Sequence, residues 1–157
     1  MVFYVALLAL FTVALVNLLF MLLRSNASFQ AARSVNRAAI VSVERMTREI
    51  RGATRLIESG SASVFGTNPG RLVLETSEGT TATTSEFYVE SGALKLKQNG
   101  VVLGALTPSG ATVTSLIFRK LEHATSTAVK MELTVSAGSG AASRSDSFYS
   151  TIVLRGS

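Results

Sequence analysis

The side chains able to do chemistry in this 157-residue chain are few and far apart. His123 is its only histidine; it follows Glu122 in what reads as a loop, and no recognisable motif sets a Ser or Cys nucleophile beside it. General-base work requires positioned partners, so His123 reads as a surface residue. Asp146 is the sole aspartate and the glutamates are scattered, which argues against a calcium loop. The absence of cysteine removes disulfides, iron–sulfur clusters and thiolate zinc sites, and leaves the compartment open. Gly66-Thr67-Asn68-Pro69-Gly70 does not match a phosphate loop, since no lysine follows and no strand-to-helix turn is expected there. The aromatics Phe87, Tyr88, Phe118, Phe148 and Tyr149 lie in strand-like patterns and read as core. The expectation is a protein that is not an enzyme, with no cofactor, metal or catalytic group.

What the chain does carry is an element that dominates its first third. From Met1 to Leu23 no side chain is charged, and only Thr12 and Asn17 are clearly polar. About 20 apolar residues at about 1.5 Å each cross a bilayer core of about 30 Å. Residues 1–24 therefore read as the transmembrane half of a helix, presenting Phe3, Leu7, Leu10, Leu15, Leu19 and Leu22 to lipid or to other helices. No Gly or Pro occurs before Gly52, so the helix is expected to continue through 25–58 as an amphipathic stalk. Ala32, Val35, Ala39, Val43, Met46 and Ile50 recur every three or four residues as its packing stripe, extended by Ala53 and Ile57. Arg33, Arg37, Arg45, Arg48, Arg51 and Arg55 form a basic stripe on roughly the opposite face, solvated or facing anionic headgroups or neighbouring helices. Glu44 precedes Arg48 by one turn in the favourable order, and Glu58-Ser59-Gly60 reads as the helix stop. The lower stripe, Met46 to Ile57, is expected to pack on the head, and Ala32 to Val43 to project beyond it.

The net charge of +5 belongs to this stalk: residues 1–58 hold seven Arg against three Glu, and the remainder eight basic against seven acidic groups. A nucleic-acid-binding head would show the reverse, so no nucleic acid is expected as a direct partner.

Residues 59–157 read as an antiparallel β head. Asn68-Pro69-Gly70 is a turn before the alternating Arg71 to Glu75, and Gly79 to Ser85 reads as a Thr-rich loop. Ser91-Gly92 joins Glu86–Glu90 to Ala93–Lys97 as a two-residue hairpin. That register sets Val89 opposite Leu94 and Phe87 opposite Leu96 on one face, with Glu86 opposite Lys97 and Tyr88 opposite Lys95 on the other. Asn99-Gly100 is a second hairpin turn into Val101-Val102-Leu103. After Pro108-Ser109-Gly110 come strands over Val113–Leu121 and Val129–Val135, a composition-flexible Ser136–Ser145, and a last strand with Phe148, Ile152 and Leu154 inward. Three such strands need a lid, which the lower stalk supplies. The fold class expected is α+β.

The opening Met1 to Leu10, the long amphipathic helix and the β head together resemble the type IV pilin-like family. The minor pilins and the J-type minor pseudopilins of type II secretion are the nearest in pattern. Val43-Glu44-Arg45-Met46-Thr47-Arg48-Glu49-Ile50-Arg51-Gly52-Ala53-Thr54 is similar to the segment that ends the stalk in that subgroup. Leu106-Thr107-Pro108, Thr114 to Phe118 and Ser150 to Arg155 are similar to its closing strands. The resemblance implies a structural subunit, single-pass in the inner (cytoplasmic) membrane with its head on the periplasmic or extracellular side. Such a subunit assembles with other pilin or pseudopilin subunits into a filament through the helix. It also implies a basic leader cut and methylated by a prepilin peptidase, and a glutamate near the mature N-terminus. Neither lies in this chain, whose first acidic residue is Glu44, so both are expected upstream of Met1. Two alternatives stand beside it: a soluble β domain released by signal cleavage after Ala27, and a binding protein tethered by a signal anchor.

Overall fold

A computed structural model describes residues 2–60, 62–79, 81–123 and 126–155. One long helix, α1 (Val2–Gly52), is followed by strands β1 (Arg55–Leu56), β2 (Leu72–Glu78), β3 (Thr81–Glu90), β4 (Ala93–Gln98) and β5 (Val101–Ala105). Then come β6 (Ala111–His123), β7 (Ser126–Ala137), a 3-10 turn (Gly140–Ala142) and β8 (Arg144–Val153). Strands β1 to β5 form a five-stranded meander, and β6 to β8 a three-stranded one, with every pairing antiparallel. The class is α+β.

The β3–β4 hairpin has the expected register, with Glu86 opposite Lys97, Phe87 opposite Leu96, Tyr88 opposite Lys95 and Val89 opposite Leu94. Ser91 and Gly92 both take positive φ (52° and 72°), as do Asn99 and Gly100 (49° and 82°). Two consecutive left-handed residues make a type I′ turn, whose twist suits the flanking strands.

The helix ends earlier than the sequence suggests. It stops at Gly52, a poor helix former, and not at Glu58-Ser59-Gly60. Beyond it the backbone finds partners in the sheet: Thr54 N–H donates to Glu75 O at 2.7 Å and Ile57 N–H to Val73 O at 3.0 Å. Arg55 and Leu56 thereby become the edge strand β1. Gly60 does take positive φ (69°), but in a turn well past the helix. Thr81 to Ser85, expected as loop, are the first half of β3, where β-branched threonines pair with Leu74 to Glu78. Ser136–Ser145 is also more ordered than its composition implies. Ser136, Ala137, Arg144 and Ser145 pair in β7 and β8, and only the connecting turn leaves the sheet.

The largest departure concerns the stalk. Ala32 to Val43 does not project beyond the head, because β7, β8 and the 3-10 turn run back along it. The buried face of α1 starts at Ala31 and continues through Val35, Ala38, Ala39, Ser42, Met46 and Ile50 to Ala53 at the helix end. Its upper part is built from small side chains, which let the strands approach closely. This face joins Leu72 and Leu74 of β2, Phe87 of β3, Leu94 and Leu96 of β4, Leu116 and Phe118 of β6, and Met131 and Leu133 of β7 in one cluster.

The free edge of β6 is closed by the segment before β2. Gly66 N–H donates to Phe118 O at 2.8 Å, Gly70 N–H to Leu116 O at 2.7 Å, and Leu116 N–H to Asn68 Oδ1 at 2.9 Å. The Asn68–Pro69 bond in this segment is cis. A Cβ on Gly70 would lie 2.9 Å from Leu116 O and 3.3 Å from Phe118 N, both backbone atoms that cannot yield. Gly70→Ala is therefore expected to lower the thermal midpoint by roughly 5–10 °C, a loss of about 2 kcal/mol. Gly52→Ala, which meets nothing within 4 Å and has no positive φ, is expected to leave the midpoint unchanged or raised in the same thermal scan.

Candidate functional site

The side chains with a candidate role lie along α1. Phe3, Leu7, Leu10, Leu15, Leu19 and Leu22 are all more than half exposed, as is nearly every large apolar residue from Val2 to Leu23. This part of the helix touches none of the head and is long and apolar enough to span a membrane. Of the packing stripe, Val35, Ala39, Met46 and Ile50 are buried, while Ala32 and Val43 are half-buried at its margin. The true centre of the face is one position off, along Ala31, Val35, Ala38, Ser42 and Met46, because both sheets approach from that side.

The basic stripe does not hold together as one feature. Arg33, Arg37, Arg48 and Arg51 are exposed on the helix, and Arg48 pairs with Glu44 at 3.2 Å. Arg45 sits at the flank and pairs with Glu49 at 2.8 Å, while its Nε is buried without a partner. Arg55 leaves the stripe altogether, since the helix has ended. From β1 its Nε and Nη2 each donate to the Glu75 carboxylate at 2.8 Å, the two-pronged geometry that suits guanidinium and carboxylate.

Two clefts border the helix that sequence reasoning did not identify. One, of about 460 Å³, lies under Glu49 and is lined by Thr76, Thr81, Thr83, Ser85 and Gln98. There the Glu49 carboxylate accepts from Ser85 Oγ at 3.0 Å. Its signal was the stretch Thr81 to Ser85, read as loop when it was strand. The other, of about 400 Å³, is apolar: Ala39, Ile40 and Val43 on α1 face Phe148 and Tyr149 of β8, with Glu44 at one end. Phe29, Ile40 and Val41 are exposed on the helix beyond the span, and Ile40 is 63% exposed. Signals for this groove were present in Ile40 and Tyr149, apolar residues outside the assigned stripe and inner strand face.

His123 ends β6, exposed, and is opposite Ser126 in the ladder. Its neighbours Lys120 and Glu122 pair with each other, and Lys120 also reaches Glu58 at 2.5 Å. Among the described residues no three His, Asp or Glu side chains converge in a way that would hold a metal ion.

The Arg55 guanidinium holds the Glu75 carboxyl below its ordinary range, mainly by hydrogen bonding. A carboxyl whose folded pKa lies below its unfolded value adds stability above the unfolded value, and that contribution is lost as pH falls through the folded one. Stability is thus expected to drop as pH falls below about 4.5, and Glu75→Gln to flatten that limb in urea unfolding followed across pH. Comparison with protein-family models, with curated proteins and with solved structures finds no match for this chain.

Proposed function

We propose that this chain is a minor-pilin- or pseudopilin-type structural subunit of a type IV pilus-like or type II secretion filament. It sits single-pass in the inner membrane with its head on the periplasmic or extracellular side, and it assembles through α1. The observation that carries this reading is the apolar surface that runs past the end of the span. Ile40 and Val41 are exposed on the part of the helix that packs on the head, and Ile40 lines the groove against Phe148 and Tyr149. Apolar surface of this kind on a rod-like element marks a contact with another chain. A neighbouring subunit's helix has the shape and polarity to cover it, as a ridge entering a groove. Prepilin peptidase acts on such a subunit if a leader precedes it, and no enzymatic role is assigned to the head.

Burial decides which substitutions test assembly. Met46 is fully buried in the head core, so a charge there would unfold the head and report nothing about assembly. Ile40→Glu is expected to leave membrane insertion and the head's thermal midpoint intact while removing the subunit from purified filaments. Filaments that carry the variant at the normal level would sink the proposal.

One observation favours the released β domain as a second reading. Among the described residues the head's contacts with α1 begin at Ser28, so cleavage after Ala27 would leave the buried face from Ala31 onward whole. Intact-mass analysis of protein drawn from its own membranes is expected to give an N-methylated start upstream of Met1. A soluble species beginning at Ser28 would establish the released domain instead.

A further inference from the structure

Charge along the extramembrane stalk is sharply sorted. Arg24, Arg33 and Arg37 precede the first acidic residue, Glu44. Arg33 and Arg37 are exposed, and neither has an ion pair among the described residues. The head adds a cation at the same end. Arg144 is exposed at the start of β8, and its Nε donates to Ser28 Oγ at 3.1 Å. Beside it the turn after β7 is pressed onto the stalk, where a Cβ on Gly138 would lie 3.1 Å from Ala31 Cβ. Asp146, two residues along β8, is the one acid at this end among the described residues.

At about 1.5 Å per residue, Ser28 stands roughly 8 Å, Arg33 roughly 15 Å and Arg37 roughly 21 Å beyond Leu23. A headgroup layer adds about 5–8 Å to each side of the hydrocarbon core. Helical side chains lean toward the N-terminus, which here is the bilayer, so the Arg33 guanidinium comes several ångströms closer than its Cα. Around the helix, Arg33 lies about 140° from Ser28, where Arg144 is anchored, while Arg37 stands too far along the stalk to reach the headgroups. The cations therefore flank the stalk on two sides at one end. A neighbouring helix would need them on one face; a plane perpendicular to the stalk meets both.

We infer that Arg33 and Arg144 form a cationic collar that seats the base of the head on anionic phospholipid headgroups. This rests on the reading of Val2 to Leu23 as a membrane span. Before assembly the collar would hold the head upright at the surface, with the apolar groove turned along the membrane plane toward an incoming subunit.

The full chain has no cysteine, so Ser139→Cys in the turn beside Arg144 takes a single fluorophore. The labelled protein is reconstituted into phosphatidylcholine vesicles containing roughly one-third phosphatidylglycerol, with a trace quencher on the headgroup of either lipid. Anionic quencher lipid is expected to be enriched near the probe about fivefold per guanidinium in contact at low salt. The enrichment should fall toward one at about 0.5 M salt, where the screening length is only a few ångströms. The R33Q/R144Q double variant is expected to lose it, and R33Q, which leaves the Arg144–Ser28 bond in place, to lose part. Arg51→Gln, about 27 Å further along the stalk than Arg33, should keep it. No enrichment in the unsubstituted chain, or enrichment unchanged in the double variant or lost equally in Arg51→Gln, overturns the collar. Release of the unsubstituted chain from vesicles by alkaline carbonate overturns the membrane span itself, a separate failure.

Discussion

Everything in the head depends on one contact, the burial of the lower helix against both sheets. Neither sheet forms a core alone. Strands β6 to β8 have one apolar face, and β1 to β5 turn Leu72, Leu74, Phe87, Leu94 and Leu96 to the same interior. Between the sheets, backbone hydrogen bonds are few: Val113 N–H donates to Gly92 O at 2.7 Å, and Gly70 and Gly66 lie along β6. The helix supplies the missing layer, with Met46 and Ile50 fully buried among side chains from both sheets. Along its upper half alanines and Ser42 leave room for the strands to come close, and the Ser42 hydroxyl is buried there without a partner. An unpaired buried hydroxyl costs about 1–3 kcal/mol, so close approach at this position offsets a local penalty.

A polar link reinforces the same contact. Glu49 takes the Arg45 guanidinium on one oxygen and the Ser85 hydroxyl on the other, so a single carboxylate ties the helix to β3. Arg55 and Glu75 tie the first residues past the helix to β2. Both pairs sit where the chain passes from helix to sheet, and together they fix the angle at which the stalk leaves the head.

Local pattern carried much of this architecture in the sequence. The Ser91-Gly92 hairpin was legible residue by residue, because turn chemistry and two faces of cross-strand pairs agree on one register. The apolar run and the helical period were equally plain. What failed depended on distant partners. Gly52 is a local reason for the helix to stop, but nothing local makes Arg55 and Leu56 a strand; the β2 backbone does that. The Thr81 to Ser85 stretch looked like loop because polar residues at the end of a sheet mimic one. Ser136 to Ser145 looked slack because small residues hide the pairing of Ser136 and Ala137 with Ser145 and Arg144, while Gly138 and Arg144 are held against the stalk. The candidate site was legible as a helix and not as a surface. Periodicity located the buried stripe to within one residue, but which apolar side chains the head leaves uncovered depends on how far it reaches, and Ile40 shows that only in three dimensions.

The way the head grips the stalk has a mechanical consequence. The chain enters the head covalently at Gly52, the end remote from the apolar run, while the turn around Gly138 and the Arg144–Ser28 bond clasp the helix at the other end. Tension applied along α1 from its apolar end therefore cannot peel the head away one contact at a time. It loads the whole interface from Ala31 to Ala53 in shear, and many buried contacts must yield together. A chain built this way is stiff along its long axis and comparatively weak to a sideways pull on the strands of the head.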